Sequence, residues 1–201
     1  FNQQFLKEHS RGMYSSLSYC LVGSLPIYVL RVAGVVAYCA VTFSMLHLED
    51  DTANSEITSF YYSITIVLIL ATTMMAEAVI YVVPGVREAY IAIPAVSFSQ
   101  FLFSGLMLKP CLLPQWLAPW IPSISVIRWT LQGLCINYFS DNKVLFPQFE
   151  FYDTYTNFMT LYGWGGKSKW YCLNMVILMM VLMRIGTILL ITVRASTGKG
   201  G

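Results

Sequence analysis

Charge is scarce in this 201-residue chain: Asp, Glu, Lys and Arg together make up 11%, against about 25% in a typical soluble domain. That excludes an ordinary water-soluble globule. The net charge of +2, without any cluster of lysines and arginines, excludes a nucleic-acid partner. Histidine is nearly missing, with His9 and His47 isolated from one another. No HExxH pair and no GxxxxGK[ST] loop occurs, so the chain brings no metal site, no phosphate cradle and no catalytic residues of its own. The five cysteines show no CxxC spacing. Cys20, Cys39 and Cys172 fall in or beside apolar runs, where cysteine packs as a small hydrophobe. Cys111 and Cys135 fall in one region and leave a disulfide open, with connectivity unreadable from spacing.

Apolar sequence fills the space the charges leave. Hydrophobic residues make up 57% of the chain, and the mean hydropathy is +0.62. Four stretches reach the roughly 20 residues that a spanning helix needs: 25–48, with Pro26 tolerated near a helix start, then 60–83, 90–108 and 171–193. After the third, Pro110, Pro114, Pro119 and Pro122 alternate with Leu112, Leu113, Trp116, Leu117, Trp120 and Ile121. Each proline lacks an N–H and clashes with the preceding turn, so no long helix survives here. The segment nevertheless stays apolar through Leu131. Broken backbone at membrane depth is tolerated only where protein buries it or a cavity wets it, which points to a pathway or gate.

The loop carrying Glu49, Asp50, Asp51 and Glu56 has no base and belongs outside by the lysine/arginine rule. Lys7 and Arg11 before the first span, and Arg194 and Lys199 after the last, place both ends in the cytoplasm; Lys167 and Lys169 weigh against this. Near the N-terminus Leu6, Met13 and Leu17 share one side of a helix while Glu8 and Arg11 pair at i, i+3, which describes a short amphipathic helix along the membrane face. Arg31, Glu77 and Arg184 lie within spans, where a charge costs about 2.5–3.5 kcal/mol. One expectation pairs Arg31 with Glu77, or joins them to a network begun by Glu8 and Arg11. The other lets Arg31 and Arg184 snorkel to headgroups. Phe98 and Phe101, at i, i+3 beside Ser97 and Gln100, form an aromatic stripe. Ser104-Gly105 before Leu106-Met107 allows close backbone approach.

In order and spacing, these pieces resemble the C-terminal half of the membrane domain of a G-subfamily (White-type) ATP-binding cassette transporter. The resemblance is carried by Phe5-Leu6-Lys7-Glu8-His9 with Gly12 and Tyr14, and by the proline-started span at Leu25-Pro26. It continues through Phe103-Ser104-Gly105-Leu106, Trp116-Leu117, Trp120, Ile124-Ser125 and Cys135-Ile136-Asn137-Tyr138-Phe139. Gly163-Trp164, Lys169-Trp170 and the Arg184-bearing span complete it. It implies a nucleotide-binding domain of the same polypeptide, using ATP and Mg, ahead of six helices of which this chain holds the last four. Glu8, His9, Arg11, Gly12 and Tyr14 align with the coupling interface, Phe98 and Phe101 with the substrate cavity, and Leu106 and Met107 with an apolar plug. Leu-Met replaces the family's Leu-Leu, and the outer loop 141–169 has none of the cysteines that family members often carry.

The expected architecture is therefore an all-α membrane protein: an amphipathic coupling region (1–24), then three transmembrane helices plus a re-entrant segment (25–139). An outer loop (140–170) and a last helix with a cytoplasmic tail (171–201) follow. Phe1 in place of Met predicts a piece of a longer chain, and no signal-peptide pattern opens it. The expected function is the translocating part of an ATP-driven exporter of lipids, sterols or amphipathic molecules in a eukaryotic plasma membrane or endomembrane. Its expected partners are a second half-transporter, identical or different, the bilayer and a hydrophobic small molecule. A secondary transporter or channel needs no nucleotide-binding domain and often shows an internal repeat, which is not seen. A membrane-embedded enzyme needs clustered His, Asp or Glu in its spans, and only Glu77 qualifies.

Overall fold

The computed structural model describes residues 16–45, 55–83, 85–108, 113–116, 120–139, 159–160, 162–164 and 166–197. Six helices lie within them: α1 Ser16–Met45, α2 Ser55–Val82, α3 Val86–Leu102, α4 Ile121–Ile124, α5 Val126–Phe139 and α6 Lys169–Thr197. The described fold is all-α.

Three helices contain stretches long and apolar enough to cross a bilayer: Val22–Thr42, Glu56–Val82 and Lys169–Val193, of 21, 27 and 25 residues. Each carries large exposed apolar side chains, among them Leu30 on α1, Ile80 on α2 and Leu182 and Leu189 on α6. A helix apolar on its outward face is one that lipid solvates. Helix α1 begins at Ser16, upstream of the expected Leu25, so Pro26 sits inside it rather than at its start.

The third expected span, 90–108, differs in its bounds: helix α3 covers Val86–Leu102, 17 residues, or about 25 Å at 1.5 Å per residue. Apolar sequence runs on to Leu108, but the helix does not. It closes at Phe103, and Gly105 takes φ 91°, a left-handed conformation that L side chains rarely adopt.

Helices α2 and α6 pack along one another, and α5 lies against both. The core joins Ala71 of α2, Val126, Trp129 and Ile136 of α5, Cys172 and Val176 of α6, and Met159 and Trp164 from the segment before α6. A second cluster of Phe60, Ile64 and Leu173 continues it. At this end Asn137 Nδ2 donates to Ile57 O at 2.9 Å, and Lys169 Nζ reaches Glu56 Oε1 at 2.8 Å and Asn137 Oδ1 at 3.4 Å. The starts of α2 and α6 and the end of α5 thus meet on one face. Among the described residues Cys39, Cys135 and Cys172 are free thiols, and Cys111 lies outside them.

Gly133 lets α5 sink into the α2–α6 crossing. A Cβ there would lie 2.6 Å from Ile64 Cδ1 and 3.2 Å from Cys172 Cβ. Ile64 and Cys172 are both fully buried, so neither can swing away freely. We therefore expect Gly133→Leu to destabilise the fold by about 1–3 kcal/mol or more through overpacking. Gly34→Leu on α1, where a Cβ meets nothing within 4 Å, should leave the melting temperature in detergent unchanged. Equal melting of the two variants would overturn the close-packing account.

Candidate gate between α3 and α5

The chain leaves α3 and re-enters helix at α4 and α5, and the sequence supplies partners for the backbone so exposed. Ser125 is extended (φ −76°, ψ 116°) between α4 and α5. Its hydroxyl accepts from Arg128 N at 3.2 Å, the third residue of α5, which is the bond a serine N-cap makes. The same hydroxyl donates to Gln100 O at 2.7 Å, while Gln100 Oε1 accepts from Val126 N at 3.0 Å. One amide residue of α3 therefore binds the start of α5 at two points. Trp129 Nε1 donates to Ser123 O at 2.8 Å and Trp120 Nε1 to Trp116 O at 2.6 Å, so indole N–H groups satisfy further carbonyls of the broken stretch. Protein side chains thus take the role that water cannot play in a hydrocarbon layer.

The end of α3 is held from behind. Ser104 is fully buried; its carbonyl accepts from Trp164 Nε1 at 3.3 Å and its hydroxyl from Leu106 N at 3.3 Å. Leu108 N donates back to Leu102 O at 3.4 Å and closes the turn. Gly105 is buried against the indole: a Cβ there would stand 3.0 Å from Trp164 Nε1 and 3.3 Å from Tyr162 O. Trp164 is itself fixed, its backbone N donating to Met159 O at 2.7 Å and its carbonyl accepting from Gln132 Nε2 of α5 at 2.5 Å. Arg128 Nη2 donates to Gly163 O at 3.0 Å. From this mount Leu106 and Met107 project outward, 43% and 58% exposed.

The sequence-predicted residues are placed unevenly. Phe98 is exposed and Phe101 half-buried, both on the last turns of α3, ahead of the Leu106–Met107 corner. Glu8, His9, Arg11, Gly12 and Tyr14 lie outside the described residues. The expected Arg31–Glu77 pair does not form. Glu77 Oε2 instead meets Arg184 Nη1 at 2.8 Å, with both side chains largely buried. Tyr28 OH donates to the same oxygen at 2.8 Å, and Arg184 also donates to Tyr28 OH at 3.0 Å and Ser24 Oγ at 2.7 Å. The reason is competition: Arg184 reaches Glu77 across the α2–α6 contact, and Tyr28, not Arg31, faces them from α1. Arg184 therefore does not snorkel. Arg31 is exposed and lines a separate groove between α1 and α2.

Residues 1–139 match the ABC-2 type transporter family. The chain belongs to that family. Within the ABC-2 transporters it is similar to G-family members. It is 28% identical over 141 residues to ABC transporter G family member STR of Medicago truncatula, covering 69% of this chain and 16% of that protein. It is 28% identical over 138 residues to ABC transporter G family member 1 of Dictyostelium discoideum (68% and 17%). With ABC transporter G family member 7 of Arabidopsis thaliana it shares 30% over 139 residues (68% and 18%). This ABC-2 chain thus spans about a sixth of the length of these curated relatives. It is an integral membrane domain of transporter type, as its helices and its family both require.

Several residues that build these sites were not singled out by sequence: Gln132 and Arg128 at the candidate gate, and Tyr28 and Ser24 at the Glu77–Arg184 pair. A signal existed for one of them, and for Gln100 beside it. Gln100 and Gln132 are primary amides inside apolar runs, and a buried amide must find hydrogen-bond partners.

Proposed function

We propose that this chain is the substrate-translocating part of an ATP-driven exporter of lipids, sterols or other amphipathic small molecules. It works by alternating access as a dimer of two half-transporters. ATP and Mg are held by a nucleotide-binding domain of the same polypeptide, and the coupling region around Glu8, His9, Arg11, Gly12 and Tyr14 receives its motion. Phe98 and Phe101 offer aromatic faces to the substrate cavity, and Leu106 and Met107 form the plug between cavity and exit. The eukaryotic origin of the relatives supports a plasma membrane or endomembrane location.

The observation that carries this reading is the turn at 103–108: two apolar side chains exposed on a backbone fixed by Ser104, Gly105 and Trp164. A plug needs that combination, since a soft mount leaks and a buried side chain cannot obstruct. Met107 adds a flexible thioether chain able to repack against more than one neighbour. ATP drives such a switch only if nucleotide and substrate bind the inward- and outward-facing states with different affinity. Removing the plug should raise the leak between them. The double variant Leu106→Ala, Met107→Ala should change basal ATPase and substrate efflux of the full-length protein in proteoliposomes. Unchanged values of both would reject the plug assignment.

A further inference from the structure

A groove of about 670 Å³ opens between α1 and α2, away from the α3–α5 gate. Helix α1 lends it Arg31, Gly34 and Tyr38; α2 lends Tyr61, Thr65 and Leu68, with Leu134 of α5 at its floor. Thr65 donates its hydroxyl proton to Tyr61 O at 2.7 Å, within its own helix. The volume suits a small amphipathic ligand, in the range of about 300–1,000 Å³ usual for such sites.

Arg31 gives the groove its chemistry. It sits near the middle of the span Val22–Thr42, about 15 Å from either surface of a hydrocarbon core about 30 Å thick. Snorkelling serves arginines near helix ends, not at this depth. Among the described residues no hydrogen bond or ion pair reaches its guanidinium, because Glu77, the carboxylate nearest in register, is taken by Arg184 and Tyr28. A cation at this depth with no partner among the described residues is a place where an anion arriving from the bilayer would be held.

The geometry points to a long-chain carboxylate from the bilayer as the occupant, its head on Arg31 and its hydrocarbon chain along Gly34, Tyr38 and Leu68. Three points of chemistry select it. The planar guanidinium matches a carboxylate at two points, N–H to oxygen. A carboxyl can enter the hydrocarbon layer uncharged, as the protonated acid, whereas a permanently charged head must be dragged in. The acid already accepts from the guanidinium through its carbonyl oxygen, and its proton leaves to interfacial water on ionisation. A single chain fits a groove of this size, with Gly34 leaving open the space that any side chain would fill.

The test uses the full-length protein in nanodiscs of neutral phosphatidylcholine, with a photoactivatable palmitate as probe. Labelling is expected on peptides spanning residues 30–38 and 61–69. It should fall about tenfold in Arg31→Gln, the loss of one good charge-assisted pair, and equally in Gly34→Leu, which fills the groove. Both positions are exposed, and unchanged melting checks that both variants fold. Unlabelled palmitate should compete, and palmitoyl glycerol, with the same chain and no charge, should compete at least tenfold less well. Undiminished labelling of Arg31→Gln, or equal competition by the glyceride, would overturn the proposal in favour of a plain apolar groove. Stronger displacement by phosphatidylglycerol than by palmitate would overturn it in favour of a phospholipid headgroup.

Discussion

Truncating Trp164 to alanine should lower the stability of the membrane domain by about 3–5 kcal/mol, the range for removing a buried aromatic side chain. Trp164 is 1% exposed, the largest of the fully buried side chains. Its ring packs in the cluster that joins α2, α5 and α6, and tilts over Tyr162 with centroids 5.2 Å apart. Alanine keeps the two backbone bonds to Met159 and Gln132 but loses the ring and the N–H to Ser104 O. Ser104 O, at the buried end of α3, would then lack its donor, and an orphaned buried acceptor costs about 1–3 kcal/mol. Trp164→Phe separates the two effects, keeping much of the volume and losing only the indole N–H. The expected order of melting temperatures in detergent is wild type, then Phe, then Ala. In the full-length protein the alanine variant should also shift basal ATPase in the same direction as the Leu106→Ala, Met107→Ala change, because it loosens the same turn. An alanine variant that melts with wild type would remove Trp164 as the support of the 103–108 turn.

Local and distant causes meet at this same turn, and only the local ones are legible in the sequence. Helices α1, α2 and α6 were legible because a spanning helix is written locally, as an uninterrupted apolar run of sufficient length. Their ends were less so, since the helical backbone continues past the apolar stretch into polar residues such as Ser16 and Ser55, which hydropathy ignores. Helix α3 was overextended because Leu106, Met107 and Leu108 are as apolar as the span before them. What stops the helix is the left-handed Gly105 and the indole of Trp164 seated against it, contributed from a distant part of the chain. The Pro/Trp stretch is legible as broken backbone where it is described, at 113–116, 120 and 125, yet its partners are not. Gln100 stands out in the sequence only as a neighbour of Phe98 and Phe101, although its side chain binds the start of α5. Such pairings are set by how the helices lie against each other, which a single sequence does not record.

The charge network shows the same limit and yields the second large effect. Three intramembrane charges were legible, but choosing between Arg31 and Arg184 as the partner of Glu77 depends on helix register and rotation. With Arg184 the partner, at 2.8 Å and with side chains 12% and 16% exposed, the variant Arg184→Met should be destabilised by about 3–5 kcal/mol, the usual result of removing one member of a buried pair. Glu77 would then keep a single donor, Tyr28 OH, and its Oε1 is already buried without a partner among the described residues. Arg184→Met also frees Ser24 and Tyr28 of their contacts with the guanidinium, so α1 loses its polar tie to α6. Adding Glu77→Gln should restore much of the loss, because the unpaired charge, not the missing attraction, accounts for most of the damage. Tyr28→Phe should cost only about 1 kcal/mol, the net worth of a hydrogen bond. Arg31→Met, by contrast, should leave the melting temperature near wild type. Thermal unfolding of these variants in one detergent forms a double-mutant cycle with a coupling energy for Glu77 and Arg184 and none for Glu77 and Arg31. A double variant less stable than Arg184→Met alone, or coupling at Arg31 in place of Arg184, would show that Glu77 is balanced by a cation other than the one it touches in this fold.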